Sequence, residues 1–332
     1  MARRKADDQL ALFDFGPEPG PEREGVGAAP QPEEVEALGR RLPGGVYLGG
    51  STWSFPGWAG LVYDRSWSPA RLAREGLAAY ARHPLLRGVG VDRTHYAPVE
   101  AMELAAYREQ VPEEFRFLVK AHEACTLARF PEHARYGAAR GQENTLFLDP
   151  KYAADQVVAP FVEGLGPEAG ALLFQFAPQS LGSPASFAER LEAFLGALPR
   201  GPVYAVEVRN RELLTAEYGD ALAAVGACHC HNVHARMPDI RAQARLVGSH
   251  RGPLTVIRWL LGPGMTYEEA GRRYAPFNRM AAPDLTNRRA VADLAREAVA
   301  AGRPFLCTIN NNAEGCAPLS AVELAKEIVG EE

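Results

Sequence analysis

Short apolar runs alternate along most of this chain with stretches in which apolar residues recur at helical spacing. Eight runs read as strands: Gly45–Gly50, Gly88–Arg93, Arg116–Ala121, Ala171–Phe176, Val203–Arg209, Ala227–Val233, Leu254–Leu260 and Pro304–Asn310. They are too uniformly apolar to face water on one side, so they read as strands buried on both faces, as in a parallel sheet. Helices are predicted between them. "SPARLAREGLAAYAR" opens with Ser68 as N-cap and Pro69 in the first turn. "PASFAERLEAFLGAL" and "PLSAVELAKEIV" are further predicted helices, and Thr286 and Gly302 bracket "TNRRAVADLAREAVAAG" as cap and stop. Eight β–α units predict a (β/α)8 TIM barrel over residues 43–332. The rival, a doubly wound dinucleotide fold, lacks its sign, because no G-x-G-x-x-G follows any of the runs.

The first 42 residues break the pattern. "GPEPGPEREGVGAAPQPEE" is rich in Pro, Gly and Glu and offers little to bury, so a tail is expected there. Composition narrows the rest. Of 332 residues 47% are hydrophobic, an ordinary value for a globular protein, and the net charge of −5 argues against a bulk electrostatic grip on nucleic acid. Five cysteines without a C-x-x-C pair fit a reducing cytoplasm better than a disulfide framework. No run is long enough to span a membrane, and the N-terminus has no secretory apolar region.

In a barrel of this kind, chemistry sits where the strands end and the βα loops begin. The polar residues of the runs gather at those ends: Trp53, Asp92, Lys120, His122, Gln175, Glu207, Arg209, Arg258, Asn310 and Asn311. Glu207 stands out, since a carboxylate flanked by valines must be paired or protonated. With Arg209, Lys120 and Arg258 as candidate partners, it reads either as a general base beside an anion clamp or as part of a structural ion-pair network. Glu207 and Lys120 are the catalytic candidates. Asn310 and Asn311 read as groups orienting a substrate oxygen, or as loop caps. In "CHCHNVHAR", His229 and His231 share one strand face and offer a weak divalent-metal alternative, short of the three or four ligands zinc requires. No other cofactor is indicated.

The motifs "YLGGSTWSFPGWAGLVY", "VGVDRTHYAPV", "FRFLVKAHEACT", "LLFQFAPQ", "YAVEVRN", "VIRWLLG" and "NNNAEGCAP" occur in this order between Val46 and Ile328. Together they resemble the domain-of-unknown-function 72 (YecE-like) family. The resemblance implies a TIM barrel without an established activity, distantly similar in shape to barrel endonucleases and sugar isomerases. It places Trp53, Lys120, Glu207, Arg209, Arg258, Asn310, Asn311 and Glu314 at motif positions. Gly90, Asp92, His95 and the pair Ser51-Thr52 depart from the usual pattern.

Three classes of function remain. The first is an enzyme on an anionic, phosphate-containing ligand, a DNA-repair-associated hydrolase or a small-molecule isomerase or lyase. The second is a nucleic-acid processing factor holding a backbone phosphate, and the third a non-catalytic ligand-binding barrel. Trp53, Arg209, Arg258, Asn310, Asn311 and Glu314 are the expected substrate contacts. The long segment after Lys120, carrying Arg129, Arg135 and Arg140, reads as a lid or binding loop. In the tail, Gln9, Leu10, Leu12 and Phe13 form an apolar cluster, "QLALF", that resembles the motif by which bacterial polymerases and repair proteins dock on the sliding clamp. Such a tether would bring an acidic barrel to DNA.

Overall fold

Eight parallel strands close on themselves in the order β1 to β8, each hydrogen-bonded to the next in sequence and β8 to β1, in a computed structural model that describes residues 25–167 and 169–330. The strands are β1 Val46–Gly50, β2 Leu86–Val91, β3 Arg116–Lys120, β4 Gly170–Phe176, β5 Val203–Val208, β6 Cys228–Val233, β7 Thr255–Trp259 and β8 Phe305–Ile309. All eight apolar runs are strands, and the expected TIM barrel is the fold. The Gln9–Phe13 segment lies outside the described residues.

Side chains alternate along each strand, so every second residue points into the barrel. Leu118, Ala171, Leu173, Ala205, Cys230, Val256 and Leu306 fill the interior as one apolar cluster. The intervening residues, such as Phe117, Phe174, Val206, Ile257 and Cys307, face outward into a larger core shared with the helices. β1 and β2 run close together where Gly49 meets Gly88: a Cβ on Gly49 would stand 1.8 Å from the Gly88 carbonyl oxygen.

The helices start where the sequence supplies caps. Ser68 accepts from the Arg71 amide at 3.3 Å and Ser183 from the Ser186 amide at 3.2 Å, opening helices Pro69–Tyr80 and Pro184–Gly196. The helix before β8 runs Leu285–Ala300, and its cap is Asp284, not Thr286. Asp284 Oδ1 takes the Asn287 amide at 3.1 Å, which leaves Thr286 inside the first turn. Asp is the stronger cap of the two, and the Asp284 amide is in addition held at 2.7 Å by buried Glu314.

The end of the segment expected as tail packs on the barrel. Residues Glu33–Arg41 form a helix whose Leu38 is buried. Ala28 bridges to Tyr63, and Val26 and Ala29 are buried nearby. Period-spaced Val35, Leu38 and Leu42 in an otherwise polar stretch were the sequence sign of this packing. No helix among the described residues is long and apolar enough to cross a membrane.

Candidate functional site

One step beyond the apolar interior, the same alternation produces a polar layer. Two residues after Leu118, Leu173, Ala205, Cys230, Val256 and Leu306 come Lys120, Gln175, Glu207, Asn232, Arg258 and Thr308. Register keeps them level: Gln175 pairs with Glu207, Asn232 with Arg258, and Arg258 with Thr308. The C-terminal mouth of the barrel is thus floored by six polar side chains, and the β2 and β5 ends add Asp92 and Arg209.

These residues form a connected network. Glu207 is fully buried; its Oε2 accepts from Arg258 Nη1 at 2.6 Å and its Oε1 from Arg209 Nε at 2.9 Å. Gln175 Oε1 accepts from Arg258 Nη1 at 2.9 Å and stands 3.5 Å from Arg209 Nη2. Asp92 Oδ1 lies 3.3 Å from Lys120 Nζ and 3.8 Å from Arg258 Nη2. Burial by itself would raise the Glu207 pKa, but Arg258 and Arg209 outweigh it and hold the carboxyl at about 2. For Asp92 burial is likewise outweighed, by Lys120 and Arg258, and its pKa is lowered. The Lys120 amine is pushed below its ordinary value by burial and by Arg258, against the opposing pull of Asp92. Three cations and two carboxylates leave the layer one charge positive.

Several hydrogen-bonding groups in this layer are unused. A lysine carries three donor protons and a guanidinium five. Lys120 Nζ meets only Asp92, Arg258 Nη2 meets only Asp92 at 3.8 Å, and Arg209 Nη1 has no protein acceptor among the described residues. Asn232 Oδ1 and Thr308 Oγ1 are buried and also without partners. Tyr96 and the exposed Tyr267 stand near this layer. Burial raises both phenol pKa values, and both feel the charges of Asp92 and Arg258. On the long segment after Lys120, Arg135 donates to Glu123, which also accepts from the Tyr136 hydroxyl at 3.1 Å and faces His95 Nε2 at 3.7 Å.

The structure brings together Asp92, Lys120, Gln175, Glu207, Arg209 and Arg258 from the sequence candidates, and places Trp53, Asn310, Asn311 and Glu314 apart from them. Asn310 stands at the rim, where its Oδ1 accepts from the Asn312 amide at 2.9 Å. Asn311 Oδ1 accepts from Trp58 Nε1 at 3.2 Å and from the Ala317 amide at 2.9 Å, so it caps the last helix and ties the first βα loop to it. Trp53 turns away from the mouth, donating to the Leu72 carbonyl at 3.0 Å and packing edge-on against Tyr107 at 5.0 Å. Glu314 lies beneath the last loop, fully buried, on Arg288 Nη2 and the Asp284 amide. Asn311, Trp53 and Glu314 hold loops in place.

His229 and His231 do not line the mouth. Cys228 and Cys230 take the inward positions of β6, which sends both imidazoles out toward the helices. His229 meets the Tyr218 hydroxyl at 3.1 Å and Gln243 at 3.2 Å, and His231 Nδ1 meets the Val256 carbonyl at 3.0 Å. Burial, foremost, drops their pKa values to about 3 and about 4. No group of three or more His, Cys, Asp or Glu residues among the described residues is arranged to hold a metal ion. Asn232, Thr308 and Tyr267 escaped sequence reasoning. The step of two from Cys230 and Leu306 would have found the first two; Tyr267 follows β7 by a loop and left no periodic sign.

Comparison with known proteins agrees with this architecture. A DUF72 family protein from Enterococcus faecalis superposes with a TM-score of 0.59 at 15% identity, covering 86% of this chain and 95% of its own. A DUF72 family protein from Thermotoga maritima does so with a TM-score of 0.58 at 18% identity, covering 85% and 98%. At these identities the likeness is one of fold. No curated protein matches the sequence significantly. The family described as "Protein of unknown function DUF72" matches residues 47–332, nearly the whole barrel, and the chain belongs to that family.

Proposed function

We propose that the C-terminal mouth binds an anionic, phosphate-containing ligand, seated on Lys120, Arg209 and Arg258. The observation that carries this reading is the set of unused N–H donors on three cations converging on one polar floor. Phosphate oxygens are the natural acceptors for such a set, and Arg forks match them geometrically. Tyr96 and Tyr267 supply flanking walls. In this reading Glu207 positions both guanidinium groups. A carboxyl held at about 2 with both oxygens engaged is a weak proton acceptor at neutral pH. Lys120, with its lowered pKa, is the group suited to exchange a proton if the ligand is processed.

Inorganic phosphate should raise the melting temperature of the full chain by mass action, and Arg209→Gln should reduce that rise. Equal rises in the two proteins would refute the seat. A phosphodiester hydrolase would release p-nitrophenol from bis(p-nitrophenyl) phosphate and lose that activity in Lys120→Met. A binding barrel would show the thermal shift alone.

The repair-associated form of the proposal rests on a separate observation, the "QLALF" segment Gln9–Phe13. A clamp tether gives an acidic protein access to DNA without a basic surface of its own, which fits the net charge of −5.

A further inference from the structure

A second basic site lies far from the mouth, beside the start of β7 at the opposite end of the strands. Helix Ile240–Val247, the turn Ser249–Arg251 and the end of helix Leu285–Ala300 enclose a cleft of about 340 Å³. Arg241, Arg245, His250 and Arg303 line it, with Ser249 and Leu294. This is the lower end of the size range of small-molecule pockets. The only acid in the lining is Glu297, which is taken by Arg241 at 2.6 Å. Arg303 Nη1 reaches only the Thr255 hydroxyl, at 3.4 Å, and Arg245 has no carboxylate partner among the described residues. Elsewhere on this surface arginines are commonly paired, as in Arg93–Glu103, Arg129–Glu143 and Arg296–Asp293. Three arginines against one glutamate leave the cleft two charges positive on a chain of net charge −5.

Unpaired guanidinium groups converging on one concave site, in an acidic protein, ask for an anion. We propose that this cleft is an anion-binding site for a small phosphate-bearing molecule. Arg245 and Arg303 are its anchors, the Ser249 hydroxyl is an additional donor, and Leu294 forms an apolar wall for the remainder of the ligand. The site is independent of the mouth: it shares no residue with it, and the two stand on opposite ends of the strands.

The experiment is a titration of the isotope-labelled full chain with inorganic phosphate, followed by backbone amide resonances. Amides of residues 244–252 should shift along a saturating curve. In Arg245→Gln/Arg303→Gln those shifts should require at least about tenfold more phosphate, since removing one charge-assisted hydrogen bond changes affinity by on the order of tenfold. Shifts at the ends of β3, β5 and β7 in the same spectra report on the mouth. Still amides at 244–252 up to tens of millimolar phosphate, or identical curves in the double variant, overturn the cleft site whatever the mouth does. Silence at the mouth with a responding cleft overturns the other proposal instead.

Discussion

Replacing Glu207 with Gln should destabilise the barrel by about 3 kcal/mol at neutral pH, and the loss should shrink in acid. The substitution keeps the side-chain shape and removes the charge facing Arg258 Nη1 at 2.6 Å and Arg209 Nε at 2.9 Å. Arg258 is only 4% exposed, and its remaining carboxylate, Asp92, is 3.8 Å away. Breaking one partner from a buried pair costs roughly 3–5 kcal/mol, because the other charge stays behind. Linkage leads to the same size by another route. The Glu207 pKa falls from an ordinary 4.5 to about 2 on folding, and a shift of that size is worth about 3 kcal/mol at about 1.4 kcal/mol per unit. A depressed carboxylate pKa contributes its full stability above the unfolded value and loses it as pH falls toward the folded one. At pH ~3.5 the contribution should therefore drop to about 2 kcal/mol. Urea unfolding of wild type and Glu207→Gln at neutral pH and near pH ~3.5 measures both gaps. The buried histidines also weaken the fold in acid, but they are common to both proteins and cancel in the difference. Coincident unfolding curves at neutral pH, or a gap that does not narrow in acid, would refute the reasoning.

Asn311→Ala removes the acceptor shared by Trp58 Nε1 and the Ala317 amide; a loss of about 1–2 kcal/mol in urea unfolding is expected, with a change in tryptophan fluorescence. The imidazole resonances of His229 and His231 should not titrate between pH ~5 and ~8, since burial holds their pKa values at about 3 and about 4. That same depression makes stability fall as pH drops below the ordinary histidine value, because only the unfolded chain takes up the proton. A peptide covering Ala6 to Gly16 should bind purified bacterial sliding clamp with micromolar affinity in a fluorescence titration. Burial of Leu10, Leu12 and Phe13 supplies about 5–9 kcal/mol against an ordering cost of about 2–5 kcal/mol, and the polar contacts of Gln9 make up the rest of the roughly 8 kcal/mol that micromolar binding requires. A Leu12→Ala/Phe13→Ala peptide should not bind, and identical curves for the two would return the segment to a plain linker.

How much of this protein could be read in its sequence differs between scaffold and site. The eight strands were legible because a strand buried on both faces must be apolar throughout, and Ser68 announces a helix start through a local hydrogen bond that needs no tertiary partner. Where two cap-forming residues stand close together the local rule picked the wrong one: Asp284, not Thr286, takes the Asn287 amide, and its own amide is also fixed by Glu314 from the far side of β8. The core of the mouth was legible as well. A carboxylate and three cations at strand ends cannot be buried separately, so Glu207, Lys120, Arg209 and Arg258 had to meet.

The sequence by itself determined the barrel, through its alternation of all-apolar runs and helical spacing, and it determined which charges would share the barrel's end. Direction was decided only by the tertiary structure. Motif position named Trp53, Asn311 and Glu314 as ligand-binding groups, yet Trp53 turns to Leu72, Asn311 to Trp58 and Ala317, and Glu314 to Arg288. His229 and His231 point outward because the strand's phase gives Cys228 and Cys230 the interior. A strand has two faces, and the phase that assigns a residue to one of them is set by packing against neighbours distant in sequence. The same holds for the cleft: Arg303, more than fifty positions along the chain from Arg241 and Arg245, becomes their neighbour only when β8 closes against β7.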